Sequence, residues 1–94
     1  MTKRIVHYST RFRKDLRLAH KQGKDIALLD KIIVMLANDE LLPAKYRDHA
    51  LTGNWKGYRE CHVTPDWLLV YQKTDKDELL LTLARVASHS DLDF

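Results

Sequence analysis

Residues 58–86 read Y-R-E-C-H-V-T-P-D-W-L-L-V-Y-Q-K-T-D-K-D-E-L-L-L-T-L-A-R-V, and this stretch decides the fold. Its polar and apolar residues alternate with period two, and two short polar runs rich in turn-forming residues interrupt the alternation. The rhythm predicts strands at Tyr58–Val63, Trp67–Lys73 and Glu78–Val86. T-P-D (Thr64 to Asp66) and T-D-K-D (Thr74 to Asp77) are the turns between them. Connections this short favour antiparallel hairpins.

Upstream the period changes. K-R-I-V-H-Y (residues 3–8) has the β-branched and aromatic content of a short strand. Ser9 or Thr10 then caps a helix reaching about Gln22, in which Phe12, Leu16 and Ala19 share a face backed by Arg11, Lys14, Arg17 and Lys21. Gly23 suits its left-handed stop, and Asp25 caps a second helix from Ile26 to about Asn38. Leu41 to Asn54, with Pro43 and Gly53 and no period, reads as a long loop. The expected architecture is α+β: an N-terminal two-helix hairpin packed on one face of an antiparallel β-sheet whose other face is partly open.

The 94 residues allow one domain, 1–94. No apolar run approaches the roughly 18 residues of a membrane span, and the start M-T-K-R-I-V lacks the apolar core of a signal peptide. Cys61 is the single cysteine, so there is neither an internal disulfide nor a cysteine-cluster metal site. A cytoplasmic protein is expected. The net charge is +3, but Lys3, Arg4, Arg11, Arg13, Lys14, Arg17, Lys21 and Lys24 face only Asp15 within residues 1–24. Such a face suits a polyanion or an acidic protein partner.

Chemistry concentrates between Asp48 and Trp67 and again between Arg85 and Leu92. Cys61 and Val63 suit the core, which points His62 to the open face. His49 lies in the loop before that strand, and His89 lies where the chain leaves the sheet. The three histidines lack the H-x-x-x-H spacing of a metal site, so no metal or cofactor is expected. A core Cys61 is a poor nucleophile. Metal-free cleavage of RNA needs a base for the 2′-OH, a cation for the phosphorane and an acid for the 5′-oxygen. Histidine fills either proton role, arginine is the phosphate clamp, and Trp67, Tyr58 or Phe94 stacks on a base.

D-H-A-L-T-G-N-W-K-G-Y-R-E-C-H-V-T-P-D-W-L-L-V-Y, followed by R-V-A-S-H-S-D-L, closely resembles the YafQ branch of the RelE/ParE toxin superfamily, and Y-S-T-R-F-R-K-D resembles the family's opening helix. The resemblance implies a RelE-like microbial ribonuclease fold and a ribosome-dependent mRNA endoribonuclease that inhibits translation. It implies a cognate antitoxin, held in a heterotetramer or larger complex that meets operator DNA mainly through the antitoxin. On this sequence the implied catalytic set is His49, His62, Asp66, Arg85 and His89. His89 would be the acid, His62 with Asp66 the base pair, His49 a phosphate-placing or base-sharing group, and Arg85 the clamp. Trp67, Arg59 and Phe94 are the implied substrate contacts, and Trp55 is left as a structural anchor. Two departures stand out: Val86-Ala87 follows Arg85, and Asp93 separates Leu92 from Phe94. The competing readings are a non-enzymatic toxin of the same fold aimed at a protein such as gyrase, and a basic nucleic-acid-binding module without chemistry. The histidine set favours the enzyme.

Overall fold

In the computed structural model of the chain, which describes residues 3–92, the two helices lie on one face of a five-stranded sheet. Strand β1 (Ile5–Tyr8) leads into helix α1 (Thr10–Lys21) and then α2 (Ile26–Ala37). β2 (His49–Ala50), β3 (Arg59–Thr64), β4 (Trp67–Thr74) and β5 (Leu80–Ala87) follow. The order across the sheet is β1-β5-β4-β3-β2.

The helix signals act where the sequence places them. Ser9 Oγ accepts the Phe12 amide at 3.0 Å, and Asp25 Oδ1 accepts that of Leu28 at 3.0 Å. Gly23 takes the left-handed turn between the helices at φ 71°. Phe12 and Ala19 of α1 and Leu29, Ile32, Ile33, Leu36 and Ala37 of α2 are buried against Cys61, Val63, Leu69, Leu81, Leu83 and Val86 of the sheet. Each large apolar side chain so buried contributes roughly 1.5–3 kcal/mol.

Three features differ from the sequence reading. First, the sheet is mixed, because β1 runs parallel to β5, with Val6 opposite Leu81. Arg4 explains this direction: its guanidinium, 7% exposed, bonds Asp39 at 2.7 Å, Asp75 at 2.6 Å and the Leu80 carbonyl at 3.1 Å. That fastens the start of β1 to the end of α2 and to the start of β5. Secondly, the loop from Leu41 contains two 3-10 turns, Ala44–Tyr46 and Gly53–Trp55, and the two-residue strand β2 paired to β3. Tyr46 anchors this segment in the helix-side core. Thirdly, bulges interrupt the ladders near His62 and at Ala84, where Val70 pairs with Arg85 but Tyr71 pairs with Leu83. The extra residue shifts the alternation, so that Val86 takes the core side.

The other sheet face carries a smaller core of its own. Leu68, Val70 and Leu92 are buried there, flanked by Leu51, Trp55 and Tyr58. Leu92 thereby pins the C-terminal turn over the sheet, and Ser88 tightens it by hydrogen-bonding Asp91 at 3.0 Å. Among the described residues no helix is long and apolar enough to cross a membrane.

Candidate active site

β2 exists to bring one residue to β3: His49 sits directly opposite Glu60. His62 lies two residues further along β3 on the same face, and the pinned C-terminal turn delivers His89. The three imidazoles form a row with His62 in the middle, ring centres 6.2 Å apart on either side. Together with Glu60, Asn54 and Trp55 the row lines a concavity of about 700 Å³.

Glu60 organises the row. It is 3% exposed, with Oε1 3.4 Å from His49 Nε2 and 3.9 Å from His62 Nε2. Its Oε2 is buried without a partner among the described residues. The opposite nitrogens are also committed: His49 Nδ1 donates to the Arg47 carbonyl at 2.8 Å and His62 Nδ1 to the Pro65 carbonyl at 3.3 Å. Each ring thus has one nitrogen on a backbone carbonyl and the other turned toward the Glu60 carboxylate.

The same geometry suits a cation. The ligand atoms of His49, Glu60 and His62 all lie within 4.8 Å of one another, and two imidazoles with a carboxylate are a donor set for zinc or a similar transition metal.

Of the eight residues singled out from sequence, the structure gathers His49, His62 and His89 into this row and distributes the others differently. Asp66 does not orient His62; its Oδ1 accepts the backbone amide of His89 at 3.2 Å, fixing the C-terminal turn. Trp67 is 2% exposed in the helix-side core and cannot stack on a base, because it shares a sheet face with Leu69 and Tyr71. Trp55, read as an anchor, is the tryptophan at the concavity, edge-on to Tyr58 with ring centres 5.2 Å apart. Arg85 does not face the row: it grips Asp15 of α1 through two bonds of 2.7 and 3.2 Å and lines a separate concavity beside α1. Arg59 is paired with Asp48 at 3.1 Å. Asp48 also receives the Tyr71 hydroxyl at 2.5 Å. Burial, then the bond to Asp48, pushes the Tyr71 hydroxyl pKa up, and Arg59 is raised mainly by Asp48. Phe94 lies outside the described residues. Burial first, and then the Asp48 and Glu60 charges, push the Cys61 thiol up to about 12, so it is packing rather than a nucleophile.

Glu60 was the principal residue missed. The alternation that pointed His62 to the open face put Glu60 there too, so the signal was present.

Comparison with known proteins shows the family and the fold. Residues 4–93 match the family model described as "Bacterial toxin of type II toxin-antitoxin system, YafQ". The chain is 46% identical over 93 residues to the mRNA interferase toxin YafQ of Escherichia coli K12, covering 98% of each chain. The crystal structure of the E. coli DinJ–YafQ toxin–antitoxin complex includes a chain with a TM-score of 0.86 and 45% identity, covering 96% of this chain and 97% of that one. A metal-bound toxin from Helicobacter pylori superposes with a TM-score of 0.87 at 45% identity, covering 99% of this chain and all (100%) of that one.

Proposed function

The chain belongs to the bacterial YafQ toxins of type II toxin–antitoxin systems, and from that membership we propose that it is an mRNA endoribonuclease acting through its histidine row. The observation that carries the proposal is the buried Glu60 carboxylate facing two imidazoles, with a third imidazole 6.2 Å beyond. His62, with Glu60 and His49 beside it, takes the proton from the 2′-OH. The 2′-oxygen attacks phosphorus, and the P–O5′ bond breaks as His89 protonates the departing 5′-oxygen. The products are a 2′,3′-cyclic phosphate and a 5′-hydroxyl, and the proton count balances without a cofactor. Asp66 serves as a positioning residue, because it holds the backbone that carries His89. Trp55 is the base platform at the concavity.

A transition metal on His49, Glu60 and His62, as the description of the H. pylori relative invites, would occupy the nitrogens that proton transfer needs. Metal loading and cleavage are then mutually exclusive uses of one cluster. The E. coli relative is described in complex with an antitoxin, DinJ; an antitoxin of its own is the corresponding partner of this chain, with operator DNA contacted mainly through that antitoxin. The basic surface of α1 suits ribosomal RNA, which fits cutting of transcripts during translation.

The test is His89→Ala. Its imidazole is needed for chemistry while its backbone amide makes the structural bond, so cleavage of mRNA in a translating extract falls about 10²–10⁴-fold while fold and antitoxin binding persist. A variant as toxic as the wild type removes His89 from the mechanism.

A further inference from the structure

Proton transfer by the histidines leaves the negative charge of the phosphorane unanswered, and a fixed cation beside it is the usual remedy. Neither arginine marked by the sequence supplies one at the row. Arg85 is held by Asp15 in another concavity, and Arg59 is held by Asp48.

On the other side of His62 lies a second concavity of about 440 Å³, lined by Lys45, Tyr46, Arg47, His62 and Pro65. His62 lines both concavities, so this pocket, with two cations on its largely apolar lining, adjoins the histidine row. Lys45 is partly engaged, its Nζ resting 5.1 Å above the Tyr46 ring. Arg47 is different. It is exposed, and among the described residues no hydrogen bond or ion pair engages its guanidinium. Its backbone is left-handed at φ 51°, a region that residues with long side chains rarely take. Its carbonyl receives His49 Nδ1 at 2.8 Å. Glycine or asparagine would make that turn with less strain, so the turn alone does not explain an arginine there.

We propose that Arg47 is a catalytic residue, the cation that binds the non-bridging oxygens of the scissile phosphate and stabilises the phosphorane. The inference rests on the endoribonuclease reading above. The Arg47 carbonyl holds the first histidine of the row, and its planar, permanently charged side chain lines the pocket that the middle histidine also lines. RNA then crosses His62, with the scissile phosphate between the histidine row and Arg47 and the neighbouring nucleotide over the Tyr46–Pro65 pocket.

The experiment compares Arg47→Gly, Arg47→Gln and Arg47→Lys with wild type. Single-turnover cleavage is measured alongside binding of an RNA carrying one 2′-deoxy substitution at the cut site. Arg47→Gly keeps the carbonyl to His49 and relieves the left-handed backbone, so it folds at least as stably as wild type by circular dichroism. It nevertheless cuts about 10²-fold more slowly, and the slope of log affinity against log salt shrinks by about one. Arg47→Gln, polar but neutral, loses as much, whereas Arg47→Lys keeps the charge without the fork and cuts faster than either neutral variant. Should Arg47→Gly fold poorly, the Gln and Lys pair decides by the same criteria. Cleavage within tenfold of wild type for the neutral variants, or an unchanged salt slope, overturns the proposal. A wild type that cuts beside such a variant refutes Arg47 alone; a wild type that cuts nothing refutes the endoribonuclease reading and Arg47 with it.

Discussion

Glu60 illustrates how one buried group defines a site. A carboxylate 3% exposed, with one oxygen unpartnered, is costly to keep unless something compensates, and here two imidazoles lie within 4 Å of its other oxygen. The two tryptophans make the complementary case. Trp67 is enclosed in the core, whereas half-buried Trp55 lines the histidine concavity. Replacing Trp67 by Ala removes a core side chain and costs about 3–5 kcal/mol of stability, read as a large drop in melting temperature. Trp55→Ala leaves the helix-side core intact and forfeits about 1–3 kcal/mol of base stacking. It therefore raises KM about 5- to 150-fold while kcat changes little. Equal melting losses in the two variants, with no change in KM for Trp55→Ala, would show that the roles are not divided this way. The sequence reading named Trp67 a substrate contact from the family resemblance, although the period-two alternation aligns it with Leu69 and Tyr71, and the structure buries it beside them.

Among the elements, the helices and the three long strands were readable because each carries its own period and its own caps. Strand β2 was not, since two residues have no period, and only pairing with Glu60 and Arg59 makes them a strand. The parallel direction of β1 was hidden for a different reason: it depends on contacts between residues about 35 and 71 positions apart, which Arg4 makes with Asp39 and Asp75. That N-terminal tie has a pH signature. The Asp39 carboxyl is lowered from its ordinary 3.8 to about 2, first by the Arg4 hydrogen bond and then by that of Lys73. A depressed carboxylate contributes stability in full above its unfolded value and loses it as pH falls through its folded value. The denaturant midpoint should accordingly decline between pH 3.8 and about 2, and Asp39→Asn should flatten that part of the decline. Asparagine is the suitable substitution, because Asp39 is left-handed at φ 58° and asparagine tolerates that conformation. Superimposable pH profiles for the two proteins would remove Asp39 from the account.

In the whole molecule the helix-side core supports the sheet, and the opposite face carries the site. Four segments build that face: β2, the 3-10 turn at Gly53–Trp55 and β3, which follow one another in the chain, and the distant C-terminal turn pinned by Leu92. The three histidines could be named from the sequence because they stand in the two stretches that carry the family resemblance, which His7 and His20 do not. Their partners could not, because Asp15 for Arg85, Asp48 for Arg59 and the His89 amide for Asp66 are each fixed by tertiary packing. The bulge at Ala84 adds to this by resetting the alternation just before Arg85. The central claim is that this face cuts RNA by histidine proton transfer without a metal. It is tested most directly by the ends of the cut RNA, produced with the translating ribosome in excess magnesium while a chelator selective for zinc and copper is present. The account predicts undiminished cutting that leaves a 2′,3′-cyclic phosphate and a 5′-hydroxyl. Cutting abolished by the chelator, or fragments ending in 3′-hydroxyl and 5′-phosphate, would contradict it.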